Sequence, residues 1–384
     1  MSEKLFYNDS FLDNFQATVT SCATEKDHFV IVLDKTAFYP EGGGQPTDKG
    51  VLSFGEKTAD IFFVKEKNNV IYHHSYTEIP VGTQVFGQID FVRRFDLMQQ
   101  HTGEHIVSGI INSLFGYDNV GFHLTETDMS IDFSGPLSKE DIDKVIDMAN
   151  DIIVKNQPVT ASYPDITNLE YRSKKALEGP IRIVEAGNAD RCACCGTHVK
   201  NTSQVQIIAV KDSMNYKGGT RIFFGCGNRV YKDYVNKNAE CHNISHLLSC
   251  KIDNISQKVS DKIKECENLK TQLSNAKQEL FSLWAENING NIGFINKDNL
   301  SSSEVQKLAD EINKNCPIAT VVSKQEDNTY KICIISKTQD TNKLGKAVCN
   351  TFGGKGGGKN GIFQGTLTSC GDIKSVLEEN MNAD

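Results

Sequence analysis

Two short motifs in this 384-residue chain carry side chains able to hold a metal ion. In Gln99-Gln100-His101-Thr102-Gly103-Glu104-His105 the histidines stand four positions apart. On a helix that offset sets both imidazoles on one face, about a turn apart, where they can reach a single ion. Much later, Cys192-Ala193-Cys194-Cys195-Gly196-Thr197-His198 repeats the offset with Cys194 and His198. Zinc takes Cys and His ligands in tetrahedral sets, so neither pair suffices alone and the two pairs together make a Zn2+ site. Four protein ligands close a structural site, whereas catalysis needs an open position. One ligand is therefore expected to be weak or displaceable, or else zinc mainly orients substrate and water. Cys192 and Cys195 compete with Cys194 for one coordination position, and Cys194 keeps the four-residue offset. Glu104 stands next to His105 and can serve as a base near the metal, or it can be a solvated helix carboxylate. A further His-x3-His pair, His242 and His246, has no complementary pair downstream and reads as structural.

The elements that must position these residues can be read from pattern. Residues 16–90 contain short apolar runs punctuated by Gly, Pro and Asn, which predicts a small β-barrel spanning 1–90. Residues 91–116 read as an amphipathic helix with Phe95, Met98, Ile106, Ile110 and Leu114 on its apolar side. Strands are expected around 120–124 and 129–133, then a helix to about Asn156 with Ser138 as N-cap and Asp141 at N3. A further helix is expected around 168–178 and a strand over 203–210, giving an α+β domain over 91–235. From about 231 to 286, apolar residues recur every three or four positions without Pro or Gly. That predicts one long amphipathic helix with a coiled-coil-like stripe, a spacer over 236–290 or a seam between two copies. A C-terminal α/β domain over 291–384 includes the Gly-rich run from Phe352 to Gly361. This run has neither the Walker nor the dinucleotide spacing. It reads as a flexible loop, or as backbone N–H groups and two lysines that meet phosphate.

Composition adds bounds. Hydrophobic content of 39% and charged content of 23% are those of an ordinary globular protein. The net charge of −8 means that nucleic-acid contact would rely on local basic clusters. Such clusters lie at Arg93-Arg94, at Arg172 with Lys174-Lys175, at 211–221, at 229–237 and at 355–359. No export signal or membrane-spanning run is read, so the twelve cysteines are expected to be mostly free thiols in a cytoplasmic protein.

Four features in this order resemble the editing half of alanyl-tRNA synthetase and its freestanding AlaX-type relatives. They are Phe38-Tyr39-Pro40-Glu41-Gly42-Gly43-Gly44-Gln45-Pro46, the His101/His105 pair, the Cys194/His198 pair and the Gly-rich tail. The resemblance covers essentially the whole chain and is to the long AlaX form. It implies a zinc-dependent deacylase acting on tRNA(Ala) mischarged with serine or glycine, with His101, His105, Cys194 and His198 as metal ligands. It further implies Gln45 near the editing pocket, so Gln45 joins Glu104 as a catalytic candidate. Arg93, Arg94, Lys355 and Lys359 are the candidate tRNA contacts, and a homodimer can form through the long helix and C-terminal domain. No aminoacylation domain precedes the barrel, so activation of alanine is not expected. Two other classes stay open. One is a structural-zinc RNA-binding module. The other is an inverted-motif zinc peptidase, whose His-x-x-Glu-His pattern the first motif formally matches.

Overall fold

The computed structural model describes residues 2–173 and 180–381, and the chain divides into two compact units, Met1–His242 and Asn243–Asp384. The first unit opens with a closed barrel of six strands: β1 Asn14–Glu25, β2 His28–Leu33, β3 Gly50–Phe54, β4 Lys57–Lys67, β5 Val70–Ser75 and β6 Gln84–Ile89. They close in the order β1-β2-β5-β4-β3-β6, with every neighbour antiparallel. Strand period two explains why β6 alternates strictly between exposed and buried positions. Phe15, Val19, Ile31, Leu33, Leu52 and Ile61 fill the interior. Closure leaves no unpaired edge.

Helix α1, Phe91–Phe115, is capped by the Asp90 side chain, which accepts from the Arg93 N–H, and it stops at Gly116 in the left-handed region. Its periodicity predicts one buried face, but every residue from Leu97 to Ile111 is buried. The helix runs through the unit rather than along its surface. Around it lie β7 Asn119–Leu124, β8 Met129–Phe133, α2 Lys139–Val154, β9 Val159–Ser162, β10 Ile183–Ala186, β11 Asp190–Ala193, β12 Ile208–Tyr216 and β13 Gly219–Cys226. These form one sheet in the order β12-β13-β8-β7 and another in the order β9-β10-β11. The capping box expected at Ser138 and Asp141 is present. The segment expected as a strand from Ser203 begins instead as a 3-10 turn, Thr202–Val205. Gln204 closes a capping box with Asn201, and Gln206 at φ 71 breaks the chain before β12. Of the helix expected around 168–178, residues 168–173 are not helical; residues 174–179, including Lys174 and Lys175, lie outside the described residues.

The long helix expected over 231–286 is two helices, α3 Asn228–Leu248 and α4 Ile255–Glu286. The break comes at Ser249, whose φ of 50 is incompatible with helix, followed by a 3-10 turn, Ile252–Asn254. Apolar periodicity survives across such a break, which is why the sequence reads as continuous. His242 and His246 are exposed on α3.

In the second unit α4 is followed by β14 Ile292–Asn296, α5 Ser302–Asn313, β15 Ile318–Lys324, β16 Tyr330–Ser336, α6 Thr341–Phe352, β17 Gly354–Lys359, β18 Ile362–Leu367 and α7 Ile373–Met381. The sheet order is β14-β15-β16-β18-β17, with β14 and β15 parallel. The Gly-rich run is therefore a strand, not a loop. It forms the edge β17, paired along its length with β18. A Cβ on Gly358 would lie 1.9 Å from the Ile362 carbonyl oxygen, so close backbone approach requires glycine there. Lys355 and Lys359 are both exposed on this edge. Among the described residues no helix is long and apolar enough to cross a membrane.

Candidate metal centre

His101 and His105 project from α1, while Cys194 and His198 come from the loop after β11. The two motifs meet: the candidate ligand atoms of all four residues lie within 4.8 Å of one another. The Cys194 sulfur is 3.4 Å from Nε2 of His101 and 3.4 Å from Nε2 of His198. The imidazole centroids of His101 and His198 are 4.5 Å apart, and those of His105 and His198 are 4.7 Å apart. The loop crosses His101 so tightly that a Cβ on Gly196 would lie 2.1 Å from the ring. Only glycine permits that approach.

Each imidazole is held from behind through Nδ1. His101 Nδ1 lies 2.9 Å from Gln45 Oε1, His105 Nδ1 lies 2.7 Å from Asp190 Oδ2, and His198 Nδ1 lies 3.2 Å from Thr102 Oγ1. With Nδ1–H donated outward, each Nε2 carries its lone pair toward the shared point, as a metal ligand requires. Arg172 grips Asp190 with two bonds of 2.7 and 2.9 Å. Burial and neighbouring charges act on the thiols and on two of the imidazoles. Burial opposes a thiolate at Cys194, yet the surrounding His101, His198 and His105 outweigh it and draw its pKa well below that of an ordinary thiol. Burial, reinforced by His101, pulls His198 down to about 3, so it stays neutral. Burial pushes Cys192 up to about 11 and also raises Cys195. Of the three competing thiols, Cys194 alone is favoured as thiolate. Burial opposes charge on His105, yet Cys194 and Asp190 outweigh it and hold this imidazole well above the ordinary range, so it gives up a proton when its Nε2 joins a metal. Three imidazoles and one thiolate make a donor set that fits Zn2+.

The centre forms part of the wall of a cavity of about 700 Å³, lined also by Gly43, Gly44, Glu104, Phe122, Arg182 and Cys195. Glu104 is not a solvated carboxylate; it is 1% exposed. Its Oε1 accepts from the Ser108 hydroxyl at 2.9 Å and from the Asn119 amide, and its Oε2 is 3.8 Å from His105 Nε2. Arg182 donates to the carbonyls of Cys194 at 2.9 Å and Gly196 at 3.0 Å, bracing the ligand loop.

The remaining candidates fall elsewhere. Gln45 sits behind His101, 1% exposed, and does not line the cavity. Its Nε2 donates to Thr197 Oγ1 at 2.7 Å, and its Oε1 also accepts from the Thr197 N–H at 3.1 Å. Arg94 corrects the expectation of a surface contact. It is completely buried, paired with Asp48, and donates to the Ser10 and Ala37 carbonyls. Arg93 is largely taken up by Glu126 and the Thr47 carbonyl. Asp190, Thr102 and Thr197 were missed. The threonines sit within the two motifs, but which imidazole each supports depends on the fold.

Three family models match parts of the chain. The model for tRNA synthetases class II (A) matches residues 4–93, and that for the threonyl and alanyl tRNA synthetase second additional domain matches 181–223, including Cys194 and His198. The DHHA1 domain matches 287–382. The alanyl-tRNA editing protein AlaX-L of Pyrococcus horikoshii is 29% identical, over 96% of this chain and 95% of its own length. The chain resembles the alanyl-tRNA editing proteins over nearly its whole length. The alanyl-tRNA editing protein Aarsd1 of Rattus norvegicus is 26% identical over 98% of this chain and 97% of its own. The alanine--tRNA ligase of Ignicoccus hospitalis is 29% identical over 93% of this chain, but only 40% of the ligase is covered.

Proposed function

We propose that this protein is a trans-editing hydrolase that removes serine, and also glycine, from mischarged tRNA(Ala). The observation that carries the reading is the convergence of His101, His105, Cys194 and His198 on one point, with the first three lining a cavity, in a chain similar to alanyl-tRNA editing proteins along its length. The need for such an enzyme is physical. An alanine pocket cannot strongly reject serine, which only adds a hydroxyl, and the smaller glycine always fits.

In this reading the four residues hold Zn2+, which when bound supplies a Lewis acid that polarises the ester carbonyl and orients the reactants. The chain's own residues do the rest. Gln45, Asp190 and Thr102 keep the three imidazoles in their ligand tautomer. Glu104 takes a proton from the water that attacks the ester carbon, and the proton passes to the ribose oxygen as the carbon–oxygen bond breaks. The products are the free amino acid and the intact tRNA 3′ end. Residues 91–235 form the editing domain, and Lys355 and Lys359 on the β17 edge meet the tRNA backbone. Exposed Val259, Leu269, Leu273, Leu280 and Leu283 on α4 support pairing of two chains through this helix. Twelve free cysteines suit a reducing cytoplasm.

Release of serine from Ser-tRNA(Ala), with Ala-tRNA(Ala) as control, tests the proposal. Fast, selective release that is lost in Cys194→Ala is expected. Four protein ligands around one point also suit a closed structural site, so a folded, zinc-loaded protein that leaves Ser-tRNA(Ala) intact would make the chain a zinc-stabilised RNA-binding protein.

A further inference from the structure

A second group of side chains of metal-ligating type lies on the outer face of the barrel, on strands apart from the centre described above. Glu25 ends β1 and His28 begins β2, and the two are direct partners across the hairpin. Antiparallel partners point to the same side of a sheet. His74 on β5 is paired with Val30, two residues along from His28, so it shares that side too. Three adjacent strands thus bring one carboxylate and two imidazoles together, with candidate ligand atoms within 4.8 Å of one another.

Nε2 of His28 and Nδ1 of His74 are 2.8 Å apart. Two bare lone pairs at that distance repel, so either a proton or a cation must lie between them. Tetrahedral zinc, with metal–nitrogen bonds of about 2.05 Å, would hold two such nitrogens about 3.3 Å apart. A small rotation of either ring provides the difference. Asp27 Oδ1, 3.3 Å from His28 Nδ1, supports the tautomer that leaves Nε2 of His28 as a donor atom. The rings are also walled by aromatic side chains. Phe62 is 5.7 Å from the His28 ring, and Phe63 is 5.3 Å from the His74 ring. That apolar shell limits water on one side, while the exposed Glu25 leaves the other side open for an ion to enter.

We propose that Glu25, His28 and His74 bind a second divalent transition-metal ion that ties the β1–β2 hairpin to β5. Two imidazoles and a carboxylate suit Zn2+, and the open side leaves a position for water. Entry of the ion requires His74 to carry its proton on Nε2. The site does not depend on the editing reading.

Titration of the full-length protein with Zn2+ by isothermal calorimetry tests it. The wild type is expected to take two equivalents per chain. His74→Ala removes only the weaker, and Cys194→Ala removes only the tighter. A His74→Ala titration superimposable on wild type would overturn the proposal, as would a wild type with a single site that Cys194→Ala abolishes. If thermal melting reveals that His74→Ala is unfolded, His28→Ala and Glu25→Gln carry the same test from the hairpin side. Two sites of which Cys194→Ala removes neither would count against the first centre and leave this one standing.

Discussion

Replacing Gln45 decides whether it positions a ligand or takes part in chemistry. Its amide oxygen serves both the His101 ring and the Thr197 N–H, at 2.9 and 3.1 Å. Both partners are buried, His101 at 2% and Thr197 at 0% exposure. Gln45→Ala would strand two donors with no water to replace the acceptor. Each orphaned donor costs about 1–3 kcal/mol, which gives a loss of about 2–6 kcal/mol in folding stability. Loss of the outer partner of a metal-binding imidazole lowers metal affinity about 10- to 100-fold. Gln45→Glu should behave differently. Its carboxylate still accepts from His101 and Thr197, and the Thr197 hydroxyl can turn to donate, so zinc affinity should stay within a few-fold of wild type. Chelator competition reads the zinc affinity, urea unfolding reads the stability, and single-turnover deacylation reads the chemistry. A positioning role predicts that activity follows zinc occupancy across both variants and returns when excess zinc is supplied. If Gln45→Ala holds zinc as tightly as wild type yet fails to deacylate at saturating zinc, the amide acts on the reacting atoms and this reasoning is wrong.

Asp190→Asn should likewise weaken zinc binding about 10- to 100-fold, because a neutral amide holds His105 less firmly and no longer balances Arg172; unchanged affinity would show that the His105–Asp190 bond of 2.7 Å is dispensable. Burial pulls His73 in the barrel from 6.5 down to about 4, against a bond from its ring to the Ile31 carbonyl. Below pH 6.5 the unfolded chain therefore binds a proton that the folded chain refuses, and stability falls as pH drops from 6.5 towards 4, by about 3 kcal/mol in all. Denaturant unfolding of wild type and His73→Gln over that range should show this slope in the wild type only, and equal slopes would refute it. Arg94→Met leaves Asp48 charged and buried, and is expected to cost about 3–5 kcal/mol; a variant as stable as wild type would contradict the assigned core role. Joint substitution of Lys355 and Lys359 by Ala should weaken tRNA binding and reduce its salt dependence by a slope of about 1–2, and a filter-binding slope equal to that of wild type would remove the β17 edge from the tRNA interface.

Local pattern alone determined several parts of this protein. Short apolar runs punctuated by Gly, Pro and Asn marked the barrel, Ser138 and Asp141 marked a helix start, and the four-residue offsets singled out His101, His105, Cys194 and His198. Each of these is set by residues within a turn or two along the chain, so period and capping chemistry reveal them. Tertiary structure decided the rest. Gln45 reaches Thr197 across 152 positions and Asp190 reaches His105 across 85, and no local signal encodes partners so distant. Arg94 looks like part of a surface basic cluster because charge reads as exposed, until the fold supplies Asp48 to neutralise it inside. The run at 354–359 looks like a loop because glycine carries no strand preference, yet β18 supplies the backbone partners that make it an edge strand. Side-chain type and spacing thus named the candidate ligands, while the packing around a helix buried on all sides turned their lone pairs toward one point.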